Sequence, residues 1–317
     1  MYGSASPRER RDAALPRLCD RTAAARDFES VFLFCFGTLS MNNIASLYRA
    51  EFELPLRDSA FATHGLATFA ILLGGWILFC SSIDLIAAAV PAIRASKLQP
   101  SEKVDDIRLR ALARRTVTRQ WISVLVQATA FAPLLKAAFP LHQVSTAMAP
   151  SQYAAFLAAW FVTNDFLFTC FHAAFHEGPA WLYVAAHKEH HTWRAPFAWM
   201  SHAMSSHEAA ANGLALMFYP LFHALWLQRT TPLELVWLCQ LVGQLIGCIE
   251  HSGYDALCPL VLINPKRFPP WLFSTTKHHD DHHRLLRGNY GGYLAIWDAL
   301  LGTTIPEGAT SYRVARG

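Results

Sequence analysis

The residues best able to do chemistry in this chain are histidines, and they are unevenly spread. Of fifteen histidines, eight fall in three short windows: His172 and His176; His187, His190 and His191; and His279, His282 and His283. The first window spaces two imidazoles one helical turn apart, and the other two share the spacing i, i+3, i+4. Residues three and four apart are neighbours on a helix surface, so each window can aim two or three nitrogens at one point. Three or four ligands saturate one metal ion, so eight suit two. Imidazole binds iron, zinc, copper and nickel alike. A donor set of nearly all neutral nitrogens leaves the charge of a metal pair uncompensated, which suits a strongly oxidising centre better than a structural one. Solvated helix faces are generally rich in Lys and Glu, so surface clustering does not explain three matching windows. The isolated His64, His142 and His223 read as packing or surface residues.

The elements that must hold these windows are apolar. Of 317 residues, 53% are hydrophobic and 16% charged, a balance that points to a membrane protein with substantial polar parts. A bilayer crossing takes about 20 apolar residues, and four stretches qualify: 29–48, 65–93, 120–140 and 152–175. A further apolar pair, 213–228 and 232–249, is split by QRTTP and predicts a helical hairpin, either partly inserted or buried. The expected fold is all-α and integral to a membrane: about four transmembrane helices, the hairpin, and a histidine-rich cap. Residues 1–27 read as a basic polar arm, 28–150 as spans with a basic loop, 151–305 as the catalytic domain and 306–317 as a tail.

Charge adds orientation. The net charge is +4, concentrated in residues 8–26 and 94–119. Both runs abut apolar segments and include acids, so nucleic-acid binding is excluded in favour of juxtamembrane anchoring. Placing both runs on the cytosolic side pairs the spans two by two and puts every histidine window on one cytosolic face. Seven cysteines, odd in number and without C-x-x-C pairs, argue against a disulfide framework. The first 27 residues lack the apolar core of a cleavable signal.

From about Asp165 to Thr303 the chain resembles the fatty acid hydroxylase / sterol desaturase superfamily of membrane di-iron oxygenases. The likeness rests on motifs and their order: Asp165 ahead of His172 and His176, LYVAAHKEHH at 182–191, APF at 195–197, Glu208, EHSGYD at 250–255, HHDDHH at 278–283 and GNYGGYLAIWDALLGT at 288–303. HSGYD and the closing segment are most similar to the sterol C-4 methyl oxidase branch. The resemblance implies two iron ions held by the eight histidines and His251, with His207 a further candidate. It also implies dioxygen, and electrons from NAD(P)H through cytochrome b5 or a similar donor with its reductase. The place it implies is the endoplasmic reticulum membrane, with the cap facing the cytosol. Departures are visible too. Ala173 and Thr169 stand where the family often has Arg and Tyr, His207 is displaced in SSHE, and Gly247 stands where some relatives have a histidine.

The substrate implied is lipophilic, a sterol, fatty-acyl or specialised metabolite, entering from the bilayer; hydroxylation and desaturation both remain open. Asp165 and Glu208, with Asp280, Asp281 and Asp298, are candidate partners for orienting ring N–H groups. Asp165 lies seven residues before His172, on its helix face, and an ionisable group inside a span is costly enough to suggest function. Two other readings compete. A metal transporter would spread ligands along several spans at mid-membrane. A zinc-dependent non-redox enzyme would need only three protein ligands and an open position.

Overall fold

A computed structural model describes residues 41–100, 107–141, 148–258 and 271–310. The basic arm at 1–27, most of the first apolar stretch, residues 101–106 within the basic loop, His142 and the end of the tail lie outside these residues. The described chain is helical, with one isolated bridge, Lys97 to Tyr254, in place of any sheet. Helix α1 is Met41–Glu53, so the first apolar stretch is described only from 41 onward. Helix α2, Phe61–Ala89, is almost continuously apolar, and short α3, Pro91–Ala95, follows it.

The third apolar stretch is bent. Helix α4, Ile107–Ala130, meets α5, Ala132–Ala138, at 57°. Pro133 sits in the first turn of α5, where a missing N–H and a fixed φ suit a helix start and not a continuation. Helix α6, Pro150–Glu177, begins on a proline and ends at Gly178 ahead of Pro179. Its 28 residues rise about 42 Å against about 30 Å of hydrocarbon, enough to cross with a tilt or with one end beyond the apolar layer. His172 and His176 occupy the C-terminal end.

The hairpin is present. Helix α7, Ser206–Leu221, runs into a wide turn at Phe222–Trp226, and α8, Leu233–Glu250, returns after Pro232. Helices α2, α6 and α8 are each long and apolar enough to cross a membrane, and the bent α4–α5 pair makes a fourth. The hairpin's second arm is therefore a candidate span in its own right, whereas α7 carries a polar first turn. Trp76, Cys80 and Ile83 of α2 pack on Trp121 of α4 and Cys248 of α8. Phe156 and Trp160 of α6 pack on Leu235 and Cys239 of α8.

Two short helices complete the frame. Helix α9, Thr276–Leu285, is capped by the Thr275 hydroxyl accepting from the His278 N–H and ends at Leu286 with φ 63°. Helix α10 is Ile296–Leu301. Residues 96–99 cross the end of α8 as a strap. Leu98 N–H donates to Gly253 O at 3.0 Å and Asp255 N–H to Ser96 O at 3.3 Å. Lys97 Nζ donates to Ser252 O at 3.1 Å and lies 4.5 Å from the Tyr254 ring centre.

Candidate metal centre

Nine histidines converge in two groups. His172, His176, His187, His191 and His282 form the first; His190, His251, His279 and His283 form the second, and within each group the facing nitrogens lie within 4.8 Å of one another. Helix α6 supplies two, α9 three, the end of α8 one, and the segment between α6 and α7 three. All are buried apart from His176, which is partly so. The windows are split, where the spacing alone suggested one target for each. In α9, His279 and His283 turn to the second group and His282 to the first. Around His187 the chain is not a regular α-helix: Lys188 N–H reaches back to Tyr183 O, and His190–Thr192 form a tighter turn. The division is nevertheless the same as in α9: the i and i+4 residues His187 and His191 serve one group and the i+3 residue His190 the other.

The inward nitrogens are all Nε2. Contacts of 2.9 Å join His172 to His282 and His191 to His187, 3.0 Å joins His282 to His191, and 3.1 Å joins His176 to His191. In the second group His251 stands 3.1 Å from both His190 and His279, and His283 stands 3.2 Å from His279. Two nitrogens about 2.1 Å from one ion, subtending roughly a right angle, would lie about 3.0 Å apart.

The outer nitrogens decide whether such contacts can be hydrogen bonds. Nδ1–H of His172 donates to Tyr290 O at 2.9 Å, and that of His282 to Gly288 O at 2.7 Å. In the second group, His251 donates to Gly247 O at 2.7 Å, His190 to Ala203 O at 3.3 Å and His283 to Trp193 O at 3.1 Å. A neutral ring that commits Nδ1–H to a carbonyl presents only a lone pair at Nε2. His172 and His282 therefore face each other lone pair to lone pair at 2.9 Å, as do His190 and His251 at 3.1 Å. Those pairs repel unless a cation lies between them, so the donor set fits a bound metal ion in each group.

Burial keeps the rings neutral. It holds His187, His191, His279, His282 and His283 well below the ordinary imidazole range, with neighbouring imidazoles adding to the effect. His251 is pushed down to about 4, first by burial. Neutral imidazole is the form that ligates metals.

The carboxylates divide their work differently from expectation. Glu208 Oε1 lies 3.0 Å from His187 Nδ1, the place of a group that orients a ligand ring. Burial raises Glu208 to about 7. Asp165 touches no histidine. It accepts from Tyr293 N–H at 2.5 Å, Leu294 N–H at 2.9 Å and Trp297 Nε1–H at 2.8 Å, because the 288–297 loop folds over α6 and brings three donors to it. Asp298 accepts from His278, Tyr290 N–H, Gly291 N–H and Thr303. Asp280 accepts from Gln99, and Asp281 pairs with Lys277 and Arg284. Only Glu208 of the five carboxylates reaches a histidine of either group. His278 is tied up by Asp298. His202 stacks on Trp121, with centroids 4.9 Å apart and planes at 6°. His207 is exposed on the first turn of α7 and lies outside both groups.

Residue type and spacing in the sequence do not single out the strap residues Lys97 and Gln99, or Tyr290. Gln99 Nε2 bridges both oxygens of Asp280 and the Arg194 carbonyl. Tyr290 supplies its carbonyl to His172, lies over His176 and hydrogen-bonds Glu177. No local signal marks Gln99, which sits in an ordinary polar loop.

Helices of membrane-crossing length, closed at one end by two pockets of buried histidines whose donor sets fit metal ions, define a membrane protein with a histidine-rich site. Residues 157–303 match the model of the fatty acid hydroxylase family. Methylsterol monooxygenase erg25A of Aspergillus fumigatus is 33% identical over 158 residues, covering 50% of this chain and 49% of that one. C-4 methylsterol oxidase erg25 of Schizosaccharomyces pombe is 29% identical over 252 residues, 78% of each chain. Very-long-chain aldehyde decarbonylase GL1-11 of Oryza sativa subsp. indica is 32% identical over 148 residues, 45% of this chain and 50% of that one. The chain spans about half the length of the first curated relatives it matches. The likeness to the sterol C-4 methyl oxidase branch is thus borne out by its relatives. No solved structure matches it.

Proposed function

We propose that this protein is a membrane di-iron oxygenase that hydroxylates or desaturates a C–H bond of a lipophilic substrate. The observation that carries the reading is the pairing of lone pairs, His172 with His282 and His190 with His251, in two adjoining all-imidazole pockets. Iron, when bound there, would supply the activation of dioxygen. The chain's own part is to hold the nine rings, with five Nδ1–H groups fixed on carbonyl oxygens and His187 backed by Glu208. Residues 151–305 would form the catalytic unit. By its likeness to membrane oxygenases, electrons would come from NAD(P)H through cytochrome b5 or a similar donor with its reductase.

The basic segment and the histidines lie at one end of the bundle. Arg119 pairs with Glu189 at 2.5 Å and Gln99 with Asp280. Positive residues favour the cytosolic side, so the histidine end would face the cytosol, in the endoplasmic reticulum. The convergence at one end, with no ligands spread along the spans, favours an enzyme over a transporter. Nine donors exceed what a catalytic zinc takes.

The deciding experiment expresses the chain with its reductant supply. Two irons per chain and dioxygen-dependent conversion of a lipid, both lost in His187→Ala while membrane insertion persists, support the reading. Unchanged turnover in that variant, or saturable zinc flux in vesicles without oxidation, would overturn it.

A further inference from the structure

Two free thiols meet between α2 and the last turn of α8. Cys80 and Cys248 are fully buried, and their sulfurs stand 3.7 Å apart. They are 168 residues apart in the chain and share their surroundings with Trp76, Trp121 and Ala198. A buried cysteine usually packs as a small apolar side chain, which explains neither the sulfur-to-sulfur contact nor the polar group beside it. That group is Ser201. Its Oγ accepts from Trp76 Nε1–H at 3.2 Å and lies 3.5 Å from Cys248 Sγ, so its own proton can be donated to that sulfur. A donor there stabilises the charge a sulfur carries when it attacks as a nucleophile.

The two helices are held close together. A Cβ on Gly75, five residues before Cys80, would lie 2.3 Å from Leu241 of α8, so only glycine allows that approach. From this contact both helices run toward the histidine end and reach Cys80 and Cys248 within about two turns. Cys248 also adjoins a carbonyl that the histidine site uses. Gly247 O accepts from His251 Nδ1–H at 2.7 Å and from the His251 backbone N–H at 3.1 Å. The planar Gly247–Cys248 peptide sets the direction of that oxygen. Movement at Cys248 therefore reaches His251, one of the four histidines of the second group.

We propose that Cys80 and Cys248 form a redox-modification site, at which hydrogen peroxide joins α2 to α8 through a disulfide. Cys248 attacks one peroxide oxygen, forming an S–OH group and releasing water. The Cys80 sulfur then attacks that sulfur, forming the S–S bond and releasing a second water. The two thiols give up two electrons and two protons, and one peroxide becomes two waters. Peroxide is small and uncharged, which suits a buried pair better than a large or charged oxidant. Closure brings the sulfurs from 3.7 Å to about 2.05 Å. The share of that movement taken by α8 turns the Gly247 carbonyl and loosens its hold on His251. The cross-link is independent of the oxygenase reading, whereas its effect through His251 rests on the metal pair of that reading.

The test exposes the iron-loaded full chain in detergent to hydrogen peroxide, blocks remaining thiols under denaturation, and maps peptides by mass. The expected product joins the Cys80 and Cys248 peptides, is two hydrogens lighter than their sum, and separates on reduction. Iron transfer to a chelator should become about threefold faster after oxidation, less than the roughly 10- to 100-fold cost of losing such a partner outright. In Cys248→Ser, oxidation should leave that rate unchanged. Absence of the linked species, or a bond from either cysteine to another thiol in its place, overturns the proposal. Linked peptides with unchanged iron transfer, or equal acceleration in Cys248→Ser, overturn the coupling to His251. If Cys248→Ser fails to fold, Cys80→Ala replaces it with the same expectations. A chain that forms the cross-link but binds no iron sinks the oxygenase reading alone, and one that oxidises lipid yet never forms the cross-link sinks this inference alone.

Discussion

Glu208 shows how much a single buried carboxylate can set. It begins α7, where the Ser205 hydroxyl caps the helix by accepting from its N–H at 3.1 Å, and its side chain backs the outer nitrogen of His187. Removing the partner behind a ligating histidine typically costs about 10- to 100-fold in metal affinity. Glu208→Ala should show a loss of that size in competition between the protein and a chelator, while Glu208→Gln, which can still accept, should lose less. His202 offers a different measurement, because burial pushes it down to about 4 from an ordinary 6.5. Between those values the unfolded chain takes up a proton that the folded chain refuses, so stability is full above 6.5 and falls as the pH drops toward 4. His202→Phe should flatten the decline in melting temperature over that interval, and an unchanged slope would remove His202 from the account. At this scale the sequence was highly readable for the histidine windows, since type and spacing are local. It was unreadable for the partners of Asp165, because those lie on a loop more than a hundred residues away.

At the scale of elements, α6 and the 288–297 loop depend on one another through Asp165. Its two oxygens accept from two backbone N–H groups and an indole N–H, and the loop in turn presents the Tyr290 carbonyl to His172. Asp165→Ala leaves those donors unpaired in a buried site, at about 1–3 kcal/mol for each. Thermal melts in detergent should show a large loss of stability, and Asp165→Asn, which retains one acceptor, a smaller one; equal melts for all three chains would contradict this. The strap at 96–99 is the other coupling element. Gln99→Ala should release Asp280 and the Arg194 carbonyl together, loosening α9 against the segment that carries His187, His190 and His191, and metal content should fall at limiting iron. The helices and the hairpin were legible from hydropathy, because burial in lipid or in a core imposes long apolar runs. The wide turn at Tyr183–His187 was not, since a change of pitch within a short, mixed segment leaves no periodic trace.

For the whole molecule, the arrangement of ends becomes testable. Pro140, Pro150 and Leu233 share one end: Leu233 N–H donates to Pro140 O at 3.0 Å, and α6 starts at Pro150. Glu177, Lys188, Arg194 and Lys97 share the other, with the histidines. About 30 Å of hydrocarbon separates the two if α2, α6 and α8 all cross, and the paired-span reading of the sequence predicted this segregation from the placement of basic residues. A cysteine introduced at exposed Lys188 of a chain lacking its reactive native cysteines should react with a membrane-impermeant maleimide from the cytosolic side of microsomes. One at exposed Arg229, in the turn between α7 and α8, should react only after the membrane is opened. The two positions are only about forty residues apart, so labelling of both from one side would mean that α8 does not cross.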